Sequence, residues 1–216
     1  MPKKPKKINW EKSTQKQRDD WYKEYEVQCL GSEDNTNDRC GFLKNKFKEW
    51  ELDGAHILDF PCHDGFVTRG FLGKGCQIIG FDIGTDAIAK SNEVAQQNYP
   101  KEKGFIWEYQ EASTNKFNWK KYSEEFDLIV CFEFIEHITP ADVKKVLKQM
   151  QSVAKRGGYI TISTPQKSGI YGDKDDNGAH INCYTVERLS EEIFEAIGYQ
   201  AEFEEDENFI YGWWRK

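Results

Sequence analysis

The 216-residue sequence is short of several things, and each shortage removes a class of protein. It has no apolar run of the roughly 20 residues needed to cross a bilayer, and no charged-then-apolar N-terminal pattern of a secretory signal. None of its six cysteines (Cys29, Cys40, Cys62, Cys76, Cys131, Cys183) sits in a C-x-x-C pair. That argues against a zinc site or a disulfide framework and for reduced thiols in a cytoplasmic protein. Positive charge is in deficit, with 30 Lys and Arg against 37 Asp and Glu, a net −7. Such a chain is poorly suited to gripping nucleic acid through phosphate contacts alone. The exception is local: KKPKK at residues 3–7 is a basic arm that reads as a solvated tail. Internal repeats are absent. So is a G-x-G-x-x-G turn, which argues against a pyrophosphate cofactor.

What is present is enough length for one α/β domain with a good core and a small appendage, and plentiful aromatics, including seven Trp and fourteen Phe. The chain is organised around HILDFPCHDGFVTRGFLGKGCQIIGFD, residues 56–82. A buried strand is expected over 56–60, a tight turn over 61–64, a short helix, and a second strand over 77–81 ending in Asp82. This is the opening β-α-β of a doubly wound sheet, in which a ligand sits at the carboxyl ends of the strands over the first turn. Asp82 is placed to take two hydroxyls of a ribose, so the fragment predicts an adenosine-type ligand.

Upstream, residues 10–28 carry Trp21, Tyr22, Tyr25 and Val27 on one face of an expected helix, which either packs on the domain or lids a ligand site. GSEDNTNDRCG (31–41) has strong turn chemistry, and a second helix is expected over 42–52, with Phe42, Leu43, Phe47 and Trp50 on one side. Downstream, Thr85 is expected to cap a helix running to about Asn98. A third strand follows over 105–109, with Glu111, Ala112 and Ser113 at its carboxyl end. FDLIVCF (126–132) is a continuous apolar strand, as at the centre of a parallel sheet. Thr139, Pro140 and Asp142 open a helix whose buried stripe is Val143, Val146, Leu147, Met150 and Val153, and Gly157-Gly158 is expected to end it. A fifth strand is expected over 159–163. The irregular segment 166–183 that follows has a length that usually carries function. Thr185 then caps a last helix that Gly198 stops. Residues 199–203 and 209–214 read as an antiparallel hairpin closing the sheet edge.

In this order, the ILDFPCHDG turn, the strand ending FD, FDLIVCFEFIEH, GGYITISTP and the late H-x-x-x-Y-T helix resemble the class I S-adenosylmethionine-dependent methyltransferases. By motif the sequence is most similar to the small-molecule type with E-x-x-E-H after the fourth strand. The resemblance spans roughly residues 54–198. It implies an α/β fold: a seven-stranded, mostly parallel, doubly wound sheet with an antiparallel C-terminal hairpin and N-terminal helices. It also implies an N-terminal tail and helical lid (1–52) and an S-adenosylmethionine-binding domain (53–216). The family's first turn is D-x-G-x-G-x-G. Asp59 and Gly65 match it, while Pro61 and His63 replace two glycines, one bringing a fixed φ and no N–H, the other bulk. The resemblance implies a cofactor site of Asp59, Pro61, Cys62, His63 and Gly65 in the turn, and Asp82 on the ribose hydroxyls. Ile83 would pack on the adenine, Glu111 and Ala112 would sit at its amino edge, and Cys131, Phe132 and Glu133 would line the sulfonium end.

Methyl transfer from a sulfonium is an in-line displacement, so the protein mainly aligns donor and acceptor. A general base helps when the acceptor is a hydroxyl or a protonated amine. Glu133, Glu136 and His137 follow the fourth strand, and Glu133 and His137, four apart, share a face if that turn is helical. His180 precedes the last helix. Three readings stand. In the first, His137, His180 or Glu133 acts as a base or substrate anchor. In the second, Glu133, Glu136, His137 and His180 hold a metal, a donor set that suits borderline ions better than Mg²⁺ or Mn²⁺. That set is similar to the small-RNA 3′-end 2′-O-methyltransferases, in which the metal orients the terminal ribose. In the third, Glu136 and His137 only hydrogen-bond the backbone around the turn. The acidic charge argues against an RNA acceptor, and E-x-x-E-H with the late His argues for one.

Trp21, Tyr22, Tyr171 and Tyr184 are candidates for stacking on a planar or sugar-like acceptor. His56, Trp213 and Trp214 are assigned to packing. The expected activity is methyl transfer from S-adenosylmethionine to oxygen or nitrogen of a small acceptor, a sugar or other metabolite. The alternatives are a metal-dependent RNA 3′-terminal 2′-O-methyltransferase and, because of Pro61 and His63, a cofactor- or partner-binding domain without catalysis.

Overall fold

The computed structural model describes Gln17, residues 36–166 and residues 180–216. The basic arm at 3–7, the aromatic face of Trp21, Tyr22 and Tyr25, and Tyr171 lie outside the described residues. Seven strands build a mixed sheet, mostly parallel with antiparallel strands at its C-terminal end, as expected. It reads β3 (Ile106–Glu111), β2 (Gln77–Asp82), β1 (His56–Asp59) and then β4 (Phe126–Phe132), β5 (Ala154–Pro165), β7 (Phe209–Arg215), β6 (Glu202–Glu205). The chain divides into two compact units, with the boundary after Phe117.

In the first unit, α1 (Thr36–Glu49) leads into β1 (His56–Asp59), a short α2 (Phe66–Arg69) continued by a 3-10 turn, β2 (Gln77–Asp82), α3 (Thr85–Asn98) and β3 (Ile106–Glu111). α1 begins six residues before the expected start, inside the stretch with turn chemistry. It is built into the core: Leu43 and Phe47 are buried, and the Phe47 ring stacks on Phe71 with centroids 4.1 Å apart. β1 and β3 each pair parallel with β2. β2 is buried at every position after Gln77, which is why it reads as an unbroken apolar run. Gly84, not Thr85, is the N-cap of α3. The reason lies two residues back, where the Asp82 carboxylate accepts the Gly84 N–H at 2.8 Å and shapes the entry turn itself.

The second unit contains β4 (Phe126–Phe132), α4 (Pro140–Val153), β5 (Ala154–Pro165), α5 (Val186–Ile197), β6 (Glu202–Glu205) and β7 (Phe209–Arg215). The start of α4 follows its sequence signals. The Thr139 hydroxyl accepts the Asp142 N–H at 3.3 Å and donates to the Asp142 carboxylate at 2.7 Å. Its stripe from Val143 to Val153 is buried as expected, and each such side chain contributes roughly 1.5–3 kcal/mol. The expected stop at Gly157-Gly158 is wrong. The helix ends at Val153 and β5 starts at once, with both glycines inside it. Gly158 is there for close approach: a β-carbon would lie 2.9 Å from the Phe126 carbonyl oxygen and 3.1 Å from that of Lys155.

Thr185 caps α5 and Gly198, at φ 74°, ends it, as expected. β7 runs antiparallel to both β5 and β6 and lies between them. The outer strand is therefore β6, EFEE, whose three glutamates are exposed. Gln166 bridges to Tyr184, and 167–179 of the expected irregular segment lies outside the described residues. No described helix is long and apolar enough to cross a membrane.

Candidate functional site

The expected site residues fall into two groups, one in each unit. In the first, Asp59 closes β1. It is buried, and the Thr68 hydroxyl of α2 donates to its Oδ2 at 2.5 Å. Burial pushes its carboxyl up to about 7, against the pull of the Thr68 hydrogen bond and with a further push from Asp82.

After Asp59 the chain turns through Phe60, Pro61, Cys62, His63, Asp64 and Gly65. The Cys62 N–H donates to the Phe81 carbonyl at 3.0 Å and the Gly65 N–H to that of Cys62 at 2.7 Å. His63 stands at φ 48° and Gly65 at φ 73°, both left-handed. A β-carbon there costs about 1–2 kcal/mol. His63 thus adopts the backbone that a glycine would adopt freely. Neighbours hold it: its N–H donates to Asp82 Oδ2 at 2.9 Å, and its carbonyl accepts the Ser91 hydroxyl of α3 at 3.0 Å.

Asp82 is 1% exposed, its Oδ2 taken by the His63 N–H and its Oδ1 by the Gly84 N–H. An ionised carboxylate has about four lone-pair sites, so each oxygen keeps capacity for another donor. Ile83 follows, half-buried; Glu111 pairs with Asp82 across β2 and β3, and the Ala112 N–H donates to the Asp82 carbonyl at 2.7 Å. The ring of Tyr109 on β3 packs against this turn, 3.1 Å from where a β-carbon on Gly65 would stand and 2.5 Å from one on Gly80. Burial, and then the Asp59 carboxylate, push the Tyr109 hydroxyl above its ordinary range.

In the second unit, β4 ends in Cys131 and Phe132, both buried. Glu133 follows at φ 53°, with its N–H on the Ser163 carbonyl at 3.0 Å and its Oε1 accepting the Ser163 hydroxyl at 2.7 Å. The helical turn, a 3-10 turn, spans only Ile135–His137. Glu133 and His137 therefore do not share a helical face. Glu136 is 1% exposed; its Oε2 accepts the Thr164 hydroxyl at 3.2 Å and its Oε1 lies 3.5 Å from His137 Nε2. The rings of His137 and His180 meet edge to face, with centroids 4.8 Å apart. One carboxylate oxygen of Glu136 and one nitrogen each of His137 and His180 lie within 4.8 Å of one another. The structure thus gathers three of the four candidate ligands, while Glu133 is bonded to Ser163. A carboxylate beside two imidazoles can pass a proton or hold a divalent ion.

Tyr184 is fully buried, not at a rim, and the Arg188 guanidinium lies over its ring at 4.9 Å. Trp213 and Trp214 are buried, in keeping with a packing role. Sequence reasoning missed Thr68, Ser91, Thr164 and Asn182, and read Tyr109 and Ser163 only as the ends of strands. Thr68, Ser163 and Thr164 stand inside quoted runs and Asn182 inside the spacer of H-x-x-x-Y-T, with no role assigned to any of them.

The profile of a family described as a methyltransferase domain matches residues 35–202. The ubiquinone biosynthesis O-methyltransferase of Histophilus somni (strain 2336) is 28% identical over 116 residues, 52% of this chain and 46% of that protein. The chain thus spans about half the length of the curated relatives it matches. Among solved structures, the Burkholderia thailandensis 1,6-didemethyltoxoflavin-N1-methyltransferase with bound 1,6-didemethyltoxoflavin and S-adenosylhomocysteine superposes with a TM-score of 0.69 at 15% identity, covering 93% of this chain and 87% of that one. An S-adenosylmethionine-dependent methyltransferase from Aquifex aeolicus gives 0.66 at 17% identity, covering 87% and 96%. At such identities the likeness is one of fold.

Proposed function

This chain belongs to the methyltransferase-domain family, and on that premise we propose that it transfers a methyl group from S-adenosylmethionine to an oxygen or nitrogen of a small-molecule acceptor, a sugar or another metabolite. The observation that carries the reading is Asp82. A buried carboxylate ends β2, oriented by one N–H from the first turn and one from the entry to α3. Each of its oxygens keeps a lone pair for one of a vicinal pair of hydroxyls.

S-adenosylmethionine supplies the methyl group on a sulfonium, from which it is displaced in line. The chain's part is to bind, align and exclude water. In this reading Asp82 takes the ribose hydroxyls, Ile83 packs on the adenine, and Glu111 and Ala112 flank its amino edge. Asp59, Pro61, Cys62, His63 and Gly65 shape the methionyl end, and Cys131 and Phe132 keep water from the sulfonium. On the acceptor side His137 or His180 takes the proton, with the Glu136 carboxylate 3.5 Å from His137 Nε2 to stabilise an imidazolium. Glu133, held by Ser163, serves as a second base or an anchor.

Calorimetric titration with S-adenosylmethionine and S-adenosylhomocysteine tests the cofactor assignment. Asp82→Asn is expected to weaken both by about 10–100-fold, the worth of one charge-assisted hydrogen bond. Equal affinity in the variant would remove Asp82 from the site. No binding by the unaltered protein would favour a partner-binding domain in which the Pro61–His63 turn has lost the ligand.

A second reading has one specific observation behind it, the convergence of Glu136, His137 and His180. Two imidazoles and a carboxylate suit Zn²⁺, Co²⁺ or Mn²⁺ in that order of donor match, and an ion there would orient paired hydroxyls such as the terminal ribose of RNA. If so, Zn²⁺ or Co²⁺ at about 100 times its Kd stabilises the protein by about 2.7 kcal/mol, chelation reverses this, and His180→Ala abolishes it. No thermal shift with either ion would end this reading.

A further inference from the structure

We infer that Asn182 is the positioning residue of the histidine pair: its carboxamide locks the segment that carries His180 to the turn that carries Glu136 and His137. The inference rests on the reading of those three side chains as acceptor-side groups.

The turn after β4 is short of internal support. It holds three residues of 3-10 helix, with the His137 N–H bonded to the Phe134 carbonyl at 3.0 Å. Its own carbonyls need partners from elsewhere, because buried backbone acceptors are rarely left unpaired. Residues 181 and 182 supply them. The N–H groups of Ile181 and Asn182 converge on the Glu136 carbonyl at 2.8 and 3.1 Å. Asn182 Nδ2 then donates to the Ile135 carbonyl at 3.1 Å and to that of Ile138 at 2.6 Å. The carbonyls on either side of Glu136–His137 are thus tied by one side chain, two residues from His180.

The amide can sit only one way round. Its nitrogen has two hydrogens and both are used, while Oδ1 accepts from Arg188 at 3.2 Å. Reversed, the oxygen would face two carbonyl oxygens and the nitrogen a guanidinium. Arg188 also donates to the Cys183 carbonyl at 2.7 Å, so the clamp is held from behind by the first turn of α5. Asn182 is 4% exposed, where unmade hydrogen bonds are not replaced by water. Aspartate, of the same size, lacks both donors and would set a carboxylate against the two carbonyls. The 4.8 Å approach of the His137 and His180 rings therefore depends on an amide at this position.

The test is the nuclear Overhauser contact between the imidazole C–H protons of His137 and His180, measured in the unaltered chain, Asn182→Asp and Arg188→Ala. The expected result is a contact in the unaltered chain, its loss in Asn182→Asp, and its weakening in Arg188→Ala. S-adenosylhomocysteine affinity, assigned to residues 59–112 with Cys131 and Phe132, none of which Asn182 or Arg188 bonds, stays unchanged in both variants. A residue that served stability alone would lower the unfolding midpoint and leave the ring contact intact. Should Asn182→Asp fail to fold, Arg188→Ala, altered at an exposed side chain, decides. An unchanged ring contact in either folded variant overturns the inference. Failure of the unaltered chain to bind S-adenosylhomocysteine would instead count against methyl transfer and leave the ring comparison standing.

Discussion

Asp59→Asn is expected to stabilise the folded protein at pH 8 by on the order of 4 kcal/mol, and to leave it nearly unchanged at pH 4. The folded-state carboxyl is raised by burial from 3.8 to about 7. Between those values the folded protein keeps a proton that the unfolded chain has released. Stability from this group is therefore full below about pH 4, falls as pH rises, and is lost once pH passes about 7. Asparagine does not titrate and still accepts the Thr68 hydroxyl. The groups facing Asp59 leave the sign unchanged: Asp82 and Asp64 push its carboxyl up, and Thr68 and Arg69 oppose them only in part. Urea denaturation of both proteins at pH 5 and pH 8 checks it. The gap between them widens with pH; parallel curves would show that Asp59 is ionised at low cost.

Gly80→Ala should cost about 3 kcal/mol, the upper end of the range for an added methyl group in a packed core. The new β-carbon would lie 2.5 Å from Tyr109 Cδ1, 2.7 Å from its Cε1 and 3.1 Å from Cys62 Cβ. The ring cannot swing aside, being 5% exposed and pressed against Gly65 on the turn. Displacement of Tyr109 is transmitted to residues 62–65, so cofactor affinity falls along with stability. Combining Gly80→Ala with Tyr109→Leu frees the space, and part of the loss is recovered, a coupling expected of residues in direct contact. A denaturation midpoint unmoved by Gly80→Ala would mean that the turn gives way without cost.

Much of the architecture is legible one segment at a time. FDLIVCF announces a strand buried on both faces, Thr139-Pro140-Asp142 announces a helix start, and Gly198 a stop, because each signal acts through its neighbours in sequence. Gly157-Gly158 misleads for the opposite reason: Gly158 answers to the Phe126 carbonyl on another strand, not to the helix before it. Gly84 displaces Thr85 as a cap because Asp82 reaches forward to it. The candidate site divides in the same way. Asp59, Gly65, Asp82, Glu136 and His137 stand in recognisable runs. The groups that hold them are single hydroxyls and amides at long range: Thr68 lies nine residues from Asp59, Ser91 28 from His63, and Ser163 30 from Glu133. Asn182 is 47 residues from Ile135. Nothing local distinguishes these from any other serine, threonine or asparagine.

The placement of β6 has a consequence for self-association. An outermost strand with bare N–H and C=O groups can recruit a strand from another molecule and begin a polymer. Here that strand carries Glu202, Glu204 and Glu205 at the surface, while Phe203 is engaged with the Gly212 position of β7. A second copy adding itself edge to edge would set these carboxylates against its own. The acidic charge of this strand thus guards the sheet, at one rim, against templated aggregation.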